Sequence, residues 1–464
     1  MHDLTKGSVT RHLLALSSFM AASMVFQTLY YLADLYFVGR LGKEAIAAVG
    51  LAGNLMVVVL AITQTLSVGT TTLVSHAVGQ KDHERANLVF NQAFVLSLLV
   101  GVGVAILGFG LRERYCRWLG ADGATAQLGV DYLNWFIPAM LLQFVIVAMG
   151  AALRGSGVVK PTVGIQILTV ILNIVLAPVL ILGWGTGHPL GVAGAALATF
   201  LSILVGTVAF WMYFLRPQNY LKFSLAYWKP RRSLWWGMTR VGLPAGGEFA
   251  LMAVYMVLVY WIIRDFGAAA QAGFGIGARV MQAMFLPIMA ISFAAAPLAG
   301  QNFGARNAER VRQTFKSASI LVSVLMILFT LLSHISPESL IRAFSNEPGV
   351  VAFGAGYLRI ISLNFLAMGL IFTTSSMFQG MGHTLPPLAA SSLRLLLFAF
   401  PAYLLSLRPG FEIRDVWHLS VATVAIQAVL NLLLVQREFR RRLAFDPPAG
   451  FVLSEAGGGQ SAGT

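Results

Sequence analysis

The stretches AVGQKDHERANLVF (77–90) and NFGARNAERVRQTF (302–315) decide the fold, because they are two copies of one pattern. The alignment places Gly79 on Gly304, at a shift of 225 residues. The same shift places Gly42 on Gly267, Tyr132 on Tyr357, Gly155 on Gly380 and Pro161 on Pro386. One constant shift over about 120 residues indicates an internal repeat. The sequence therefore predicts two similar halves.

Each copy of the pattern is also a candidate turn between two helices. Gly79 and Gly304 are suited to a helix end, and Asp82 and Asn307 are suited to cap the helix that follows. We therefore expect the repeated stretches to be structural turns rather than sites of chemistry.

The composition is that of a membrane protein. The chain has 464 residues, of which 57% are hydrophobic and 11% are charged, and its mean hydropathy is +0.76. Soluble proteins carry about 25% charged residues. Apolar runs recur that are long enough to cross ~30 Å of hydrocarbon as helices. We predict twelve spans, at 13–38, 45–76, 88–111, 132–153, 162–183, 190–215, 238–263, 276–300, 317–335, 357–379, 384–407 and 416–435.

Six spans per half predict the fold class, an all-α polytopic membrane protein with two six-helix lobes. Because six is even, both halves enter the membrane from the same side, so the repeat is parallel and its pseudo-two-fold axis follows the membrane normal. Transporters built in this way bind their cargo between or within the halves. We predict an N-lobe at 1–215, a basic cytoplasmic linker at 216–237, a C-lobe at 238–440 and a disordered Pro/Gly/Ser-rich tail at 441–464.

The basic residues indicate the orientation. The net charge is +14, and the loops on the side of the N-terminus hold more than twice as many Lys and Arg as the opposite loops. Such an excess marks the cytoplasmic side, so we predict both termini in the cytoplasm and a location in the cell inner membrane. The stretches YLKFSLAYWKPRR and QREFRRR are then anchors at anionic lipid headgroups rather than nucleic-acid sites.

Other classes of site lack the residues they need. Cys116 is the only cysteine, and the sequence contains no HExxH motif. This argues against a disulfide framework, a metal centre and an intramembrane enzyme. We predict no metal and no cofactor, and we expect a monomer.

Asp34 is the main candidate for ion coupling. Of the 18 acidic residues only Asp34 and Glu248 lie inside predicted spans, where a charge is costly. Arg40, six residues away, faces a different side of the helix and is a poor partner. Gln27 and Tyr30 share the Asp34 side, so this polar stripe is expected to face protein or water rather than lipid.

Glu248 leaves two interpretations open. It follows Pro244 by four residues near the start of the seventh span. It is either a carboxylate stabilised by the helix dipole or a ligand for substrate or cation. Arg279 and Arg394, near other span starts, are expected to be interfacial anchors.

Several motifs together resemble the MATE family of multidrug and toxic-compound extrusion antiporters, and most closely its DinF-like bacterial branch. The resemblance covers about residues 8 to 440. In the first half it is carried by DLYFVGRLGKEAIAAVGL, SVGTTTLVSHAVGQKDHERA, ALRGSGVVKPT, LNIVLAPVLILG and GVAGAALATF. In the second half it is carried by AAAPLAGQNFGARNAERV and FQGMGHTLPP.

The resemblance implies twelve helices around a central cleft and export driven by inward flow of H⁺ or Na⁺. It also implies a coupling cluster in the N-lobe, which falls here on Asp34 with Gln27, Tyr30, Asn173 and Thr199. From the residues alone, Asn173 and Thr199 are interhelical hydrogen-bonding groups.

Two positions depart from the pattern of the family. Many relatives have a second acid in LNIxLDP, whereas Ala177 stands here, so Asp34 would carry the N-lobe charge change alone. Relatives often have a proline about fifteen residues before the helix-1 aspartate, where Phe19 stands here, so a bend of that helix is not expected. The tenth span has no acid, which disfavours a Na⁺ site in the C-lobe because hard cations want several oxygens.

The sequence therefore predicts a proton-coupled exporter of amphipathic organic cations that works by alternating access. In this hypothesis Asp34 is deprotonated toward the cytoplasm and helps to bind the cation, with Met24 and Tyr30 among the residues around it. A proton then displaces the cargo on the outside. A Na⁺-coupled exporter and a flippase for lipid-linked precursors remain as alternatives, although a pyrophosphate cargo would favour a cationic cavity over Asp34 and Glu248.

Overall fold

The structure, a computed structural model, describes residues 3–120 and 122–445. Regular secondary structure in these ranges is entirely helical. The first half contains α1 (Val9–Gly39), α2 (Lys43–Gly79), α3 (His83–Leu119), α4 (Gly123–Gly155), α5 (Lys160–Leu182) and α6 (Gly191–Phe214). The second half contains α7 (Arg232–Ile263), α8 (Ala268–Gly304), α9 (Ala308–Ile335), α10 (Pro337–Arg342), α11 (Pro348–Ile361), α12 (Phe365–Met381), α13 (Leu385–Ser406) and α14 (Ile413–Arg442).

Twelve membrane-length segments are confirmed in the described part of the chain. Each of α1 to α9, α13 and α14 supplies one, and α11 and α12 together form the tenth, 34 residues long. Most helices extend beyond the predicted spans, as α3 does at both ends of 88–111. Hydropathy falls where the side chains become polar, whereas backbone hydrogen bonding continues into those turns.

The repeat is confirmed in the backbone. Helices α2 and α8 both have 37 residues, and their first residues are 225 positions apart. Lys81 has a φ of 58° and its equivalent Arg306 a φ of 57°, although neither is glycine. Two unrelated turns would not share a left-handed non-glycine residue at the same place.

The repeated stretches form the turns expected of them. The Asp82 side chain accepts a hydrogen bond from the backbone N–H of Arg85 at 2.9 Å, and Asn307 accepts one from Arg310 at 3.1 Å. Gly79 is the last residue of α2, but the left-handed conformation after it belongs to Lys81. Gly79 therefore serves another purpose, which is a close contact between the lobes.

The tenth span differs from its repeat equivalent, α4. Helix α4 is continuous through Pro138, whereas α11 and α12 are separated by a 3₁₀ turn at Ser362–Asn364. The turn leaves the Ser362 carbonyl outside the α-helical pattern, and the hydroxyl of Thr330 in α9 donates to it at 3.0 Å. The break is thus stabilised by a neighbouring helix.

The buried cores follow the two lobes, and α1 crosses between them. Leu13, Leu16 and Met20 belong to a core built mainly from α7 to α14. Val38, near the other end of α1, belongs to a core of the first half. Helix α1 therefore packs on the C-lobe with its first half and on the N-lobe with its last turns.

The contacts between α2 and the C-lobe lie in the second half of α2. The hydroxyl of Thr72 donates to the Gln379 carbonyl at 2.9 Å, and His76 Nε2 lies 2.7 Å from the Gly380 carbonyl. A Cβ atom on Gly242 of α7 would overlap the Thr65 carbonyl. The lobes therefore meet at the end that carries the basic turns at 80–82 and 305–307.

The loop between the lobes is attached to α3. Its backbone bonds to three amide side chains, Asn87, Asn91 and Gln92, including bonds from Asn91 Nδ2 to the Lys222 carbonyl at 2.9 Å and from the Arg231 N–H to Gln92 Oε1 at 2.8 Å. Helix α7 begins at Arg232, inside the predicted linker 216–237. Of the predicted disordered tail, residues 441–442 belong to α14 and 446–464 lie outside the described residues.

Candidate functional site

Asp34 lies inside the membrane-spanning α1, one turn after Tyr30. Its Oδ1 atom is buried and has no hydrogen-bond partner among the described residues. The hydroxyls of Tyr30 and Thr199 lie 2.9 Å apart, which joins α1 to α6. Thr199 also donates to the Ala195 carbonyl at 3.1 Å, so the Tyr30 hydroxyl is placed to donate to Thr199. A carboxyl group without a fixed partner in such a place is free to exchange a proton or a cation.

Asn173 is completely buried in α5, a helix that packs against α1. Neither polar atom of its amide has a partner among the described residues. Ala177, one turn further, is also fully buried, so the side chain that replaces the acid of many relatives faces protein. Buried amides are nearly always hydrogen-bonded in proteins, so Asn173 is a candidate to bind water or a ligand.

The remaining predicted N-lobe residues are placed differently. Gln27 is exposed, and it forms no hydrogen bond with another described residue. Met24 is partly buried and packs against the core of the C-lobe. The structure therefore joins Tyr30 and Thr199 directly, but it does not attach Gln27 or Met24 to that pair.

Tyr132 of α4 was missed as a site residue by the sequence reasoning. It is buried, with 5% of its surface exposed, and the charge of Asp34 acts on its phenol group. The sequence marked it only as the repeat equivalent of Tyr357. Its proximity to Asp34 depends on how α4 packs against its neighbours. A local sequence pattern does not predict that packing.

Glu248 lies in the C-lobe, sixteen residues after Arg232, the first residue of α7. Stabilisation by the dipole at a helix start is confined to the first turn, so that interpretation does not apply. Glu248 Oε2 accepts a hydrogen bond from the Ser375 hydroxyl of α12 at 2.8 Å. Its Oε1 is buried and has no partner among the described residues. Glu248 is thus a second carboxyl group available to a ligand.

Arg394 is not an interfacial anchor, and that expectation was wrong. Its guanidinium carbon lies 4.8 Å from the centroid of the Tyr255 ring, and its Nε is buried without a hydrogen-bond partner among the described residues. Arg279, by contrast, is exposed. The sequence misplaced Arg394 because distance from a span end does not tell which way a side chain packs.

Clusters of three or more His, Cys, Asp or Glu side chains able to hold a metal ion are absent from residues 3–120 and 122–445. The two acids inside the spans predicted from the sequence lie apart, with Asp34 in α1 of one lobe and Glu248 in α7 of the other. Such an arrangement is suited to carrying protons or binding organic cations one at a time.

The comparisons with known proteins agree with this architecture. The MatE family model matches residues 20–179 and 244–404, one match in each lobe. The multidrug export protein MepA of Staphylococcus haemolyticus is 27% identical over 82% of this chain and 83% of its own length. An FAD transporter of Shewanella oneidensis is 23% identical over 86% of this chain and 88% of its own length.

A solved structure described as the outward-facing conformation of a multidrug resistance MATE family transporter superposes with a TM-score of 0.87. It is 25% identical, and the match covers 95% of this chain and 98% of the solved chain. The two-lobe fold is therefore confirmed, while assignment to the DinF-like branch stays a prediction. Since the family model covers more than half of the sequence, the chain belongs to the MatE family of membrane transporters and is not an enzyme.

Proposed function

We propose that the protein exports amphipathic organic cations in exchange for protons, by alternating access between its two lobes. The relatives include both a multidrug export protein and an FAD transporter, so family membership alone does not choose the cargo. The observation that carries the proposal is the buried Oδ1 of Asp34, which lies inside a membrane span and has no hydrogen-bond partner in the described ranges. An acid in this place favours a cationic cargo and a coupling ion that can replace it.

The proposed cycle uses the charge of Asp34. When the site faces the cytoplasm, the deprotonated carboxylate attracts the cation. When it faces outward, a proton binds the carboxylate and the cation leaves. Binding linkage requires that proton and cargo weaken one another to the same degree. Tyr30, held by Thr199, and the amide of Asn173 supply the neighbouring polar groups.

Alternating access is supported by where the lobes touch. The contacts of α2 with the C-lobe run from Ala61 to Gly79, and α1 reaches the C-lobe core with its first half. Both sets lie at the end with the basic turns, which is cytoplasmic in the proposed topology. Contacts at the cytoplasmic end are expected of an outward-facing state, which is the state named for the solved relative.

The proposed setting is the cell inner membrane, with both termini in the cytoplasm and basic side chains against lipid headgroups. This follows from the excess of Lys and Arg on one side. We also propose a monomer, since each chain contains both lobes and the contacts between them.

Sodium coupling is the second candidate, and Glu248 is the observation that favours it. Its carboxylate and the Ser375 hydroxyl supply adjacent oxygen ligands in the C-lobe. The flippase alternative has less support, because the carboxylates of Asp34 and Glu248, which form no salt bridge with a described residue, would repel a pyrophosphate.

Ethidium efflux from proteoliposomes tests the proposal. Wild type, Asp34→Asn and Glu248→Gln are compared under an imposed pH gradient and then under a Na⁺ gradient. We expect efflux under the pH gradient, its loss in Asp34→Asn and its retention in Glu248→Gln. Efflux that follows Na⁺ and depends on Glu248 would support sodium coupling. Absence of ethidium efflux under both gradients would refute cation export.

A further inference from the structure

Arg394 of α13 is a positive charge without a counter-ion. It packs on Tyr255 of α7, yet it forms no salt bridge with any Asp or Glu in the described part of the chain. Its buried Nε donates to no described acceptor. Burying an unpaired charge is costly, and ionisable groups inside a membrane usually have partners. Among the described residues, Tyr255 therefore interacts with the guanidinium, but no carboxylate balances its charge.

Polar side chains of α7, α13 and α14 are linked to Arg394 through Tyr255 or through its own helix. The Tyr255 hydroxyl lies 3.0 Å from the Ser420 hydroxyl of α14, and Gln427 Nε2 donates at 2.9 Å to Ser391, one turn before Arg394. Gln427 Oε1 has no hydrogen-bond partner in the part of the chain that the structure describes. Ser420 and Gln427 are seven residues apart and therefore share one side of α14. Arg394, Tyr255, Ser391, Ser420, Gln427 and Asn431 are called the C-lobe polar cluster below.

Asn431, one turn beyond Gln427, is the second observation that points to a ligand. It is completely buried, and neither its Oδ1 nor its Nδ2 has a hydrogen-bond partner among the described residues. Two unmet polar atoms on a buried amide cost free energy unless something binds them. The C-lobe polar cluster therefore combines a cation that has no described carboxylate partner with amide atoms that have no described hydrogen-bond partner.

The C-lobe also holds an acid that Arg394 does not neutralise. Glu248 and Tyr255 are seven residues apart on α7, so they share a side and differ by about 10 Å in depth. Because Arg394 packs on Tyr255, the positive and negative groups of the lobe are separated by a similar depth. A ligand with one charge would satisfy only one of them.

We propose that Arg394 is an anion subsite that binds the carboxylate of zwitterionic substrates. Rigid paired N–H groups make a guanidinium well suited to hold a carboxylate through two hydrogen bonds. The cationic end of the same substrate would then lie toward the acids of the cavity. This inference rests on the proposed export of organic cations and extends it to cations that also carry a carboxylate.

A matched pair of dyes tests the subsite. Rhodamine B carries a free carboxylate, whereas its ethyl ester is a cation of nearly the same shape. Binding of each dye to the purified full-length transporter in lipid nanodiscs is measured by fluorescence anisotropy. The variants are Arg394→Gln, Arg394→Lys and the control Arg408→Gln, which removes an exposed arginine just after the same helix.

We expect Arg394→Gln to weaken rhodamine B binding about tenfold or more, because the substitution removes a charge-assisted hydrogen bond to the carboxylate of the dye. Binding of the ester, which has no carboxylate, should change much less. The rhodamine B affinity of Arg394→Lys should lie between those of wild type and Arg394→Gln. The affinity of Arg408→Gln should equal that of wild type. Equal weakening of both dyes, or no change for rhodamine B, would overturn the subsite. Wild type that binds the ester but not rhodamine B would overturn it as well.

Failure of the proposed function gives a different result. If wild type binds the dyes but does not exchange the ester for protons in proteoliposomes, the coupling proposal fails. In that case, the binding of rhodamine B and of its ester to Arg394→Gln still shows whether Arg394 binds the carboxylate. Retained ester binding in the variant also shows that it has folded.

Discussion

Gly79 of α2 and Gly304 of α8 are equivalent residues of the repeat, and each lies against a backbone carbonyl of the other helix. A Cβ atom on Gly79 would overlap the carbonyl oxygen of Gln301, and one on Gly304 would overlap that of His76. His76 and Gln301 are themselves 225 residues apart. This close contact between the two lobes is therefore symmetric about the pseudo-two-fold axis, and it lies at the cytoplasmic end of the proposed topology.

Substitution of Gly79 by Val should open this contact. The added methyl groups have no room without movement of the backbone, and overpacking of this kind typically costs about 1–3 kcal/mol. We expect slower ethidium exchange and faster labelling of Thr72→Cys, in a Cys116→Ala background, by an impermeant maleimide on the cytoplasmic side. Thr72 is 3% exposed in the closed arrangement.

The matched control is Gly103→Val in α3, because a Cβ atom on Gly103 meets nothing within 4 Å. It should leave both exchange and labelling near wild type. Unchanged labelling in Gly79→Val would show that the glycine contact does not close the cytoplasmic side.

Tyr30 and Thr199 should contribute to cargo binding through their shared hydrogen bond. Tyr30→Phe and Thr199→Val each remove it, so each should weaken ethidium binding a few-fold, in keeping with a bond of about 1 kcal/mol. The double variant should be little worse than either single one, because the bond is lost only once. Binding isotherms for all four proteins check this, and fully additive losses would contradict a shared interaction.

Asn91 should be necessary for the attachment of the interlobe loop. Its amide bonds to the Lys222 carbonyl, the Ser224 N–H and the Trp228 indole. We expect Asn91→Ala to speed tryptic cleavage after Lys222. Cleavage is followed by mass spectrometry.

The control for the loop is Gln218→Ala, an exposed position of the same segment. Its cleavage rate should equal that of wild type. If Asn91→Ala is as resistant as wild type, the amide bonds do not determine how well the loop is held.

Glu248→Gln should reduce cargo affinity without removing proton coupling. Glutamine retains an oxygen that accepts from Ser375 at the 2.8 Å contact but lacks the negative charge. Ethidium binding should weaken, while exchange at saturating ethidium still follows the pH gradient. The measurement is the ethidium dependence of exchange. Loss of exchange at every ethidium concentration would move the coupling role to Glu248.

The spans and the repeat could be predicted because both depend only on the order of residues along the chain. A run of apolar residues indicates a membrane span, and a constant shift of 225 residues shows which helices are equivalent in the repeat, such as α2 and α8. Asp34 could be selected because membrane spans tolerate few acids. These inferences need no knowledge of how the helices pack.

The surroundings of the charged groups could not be predicted in this way. The stacking of Arg394 on Tyr255, the burial of Tyr132 near Asp34 and the attachment of the loop to Asn91 join residues far apart in the chain. Each depends on which sides of several helices meet. For the same reason, sequence position suggested a helix start for Glu248, although the structure places it well inside α7.

Proton release on cargo binding tests the central claim most directly. Ethidium is added to the purified transporter in weakly buffered solution near neutral pH, and released protons are counted with an indicator dye. We expect wild type to release at most about one proton per bound ethidium, because one carboxyl exchanges its proton for the cation. We expect no release from Asp34→Asn, with ethidium binding still detectable. Ethidium binding without proton release in wild type, or equal release from Asp34→Asn, would contradict exchange of a proton for the cargo at Asp34.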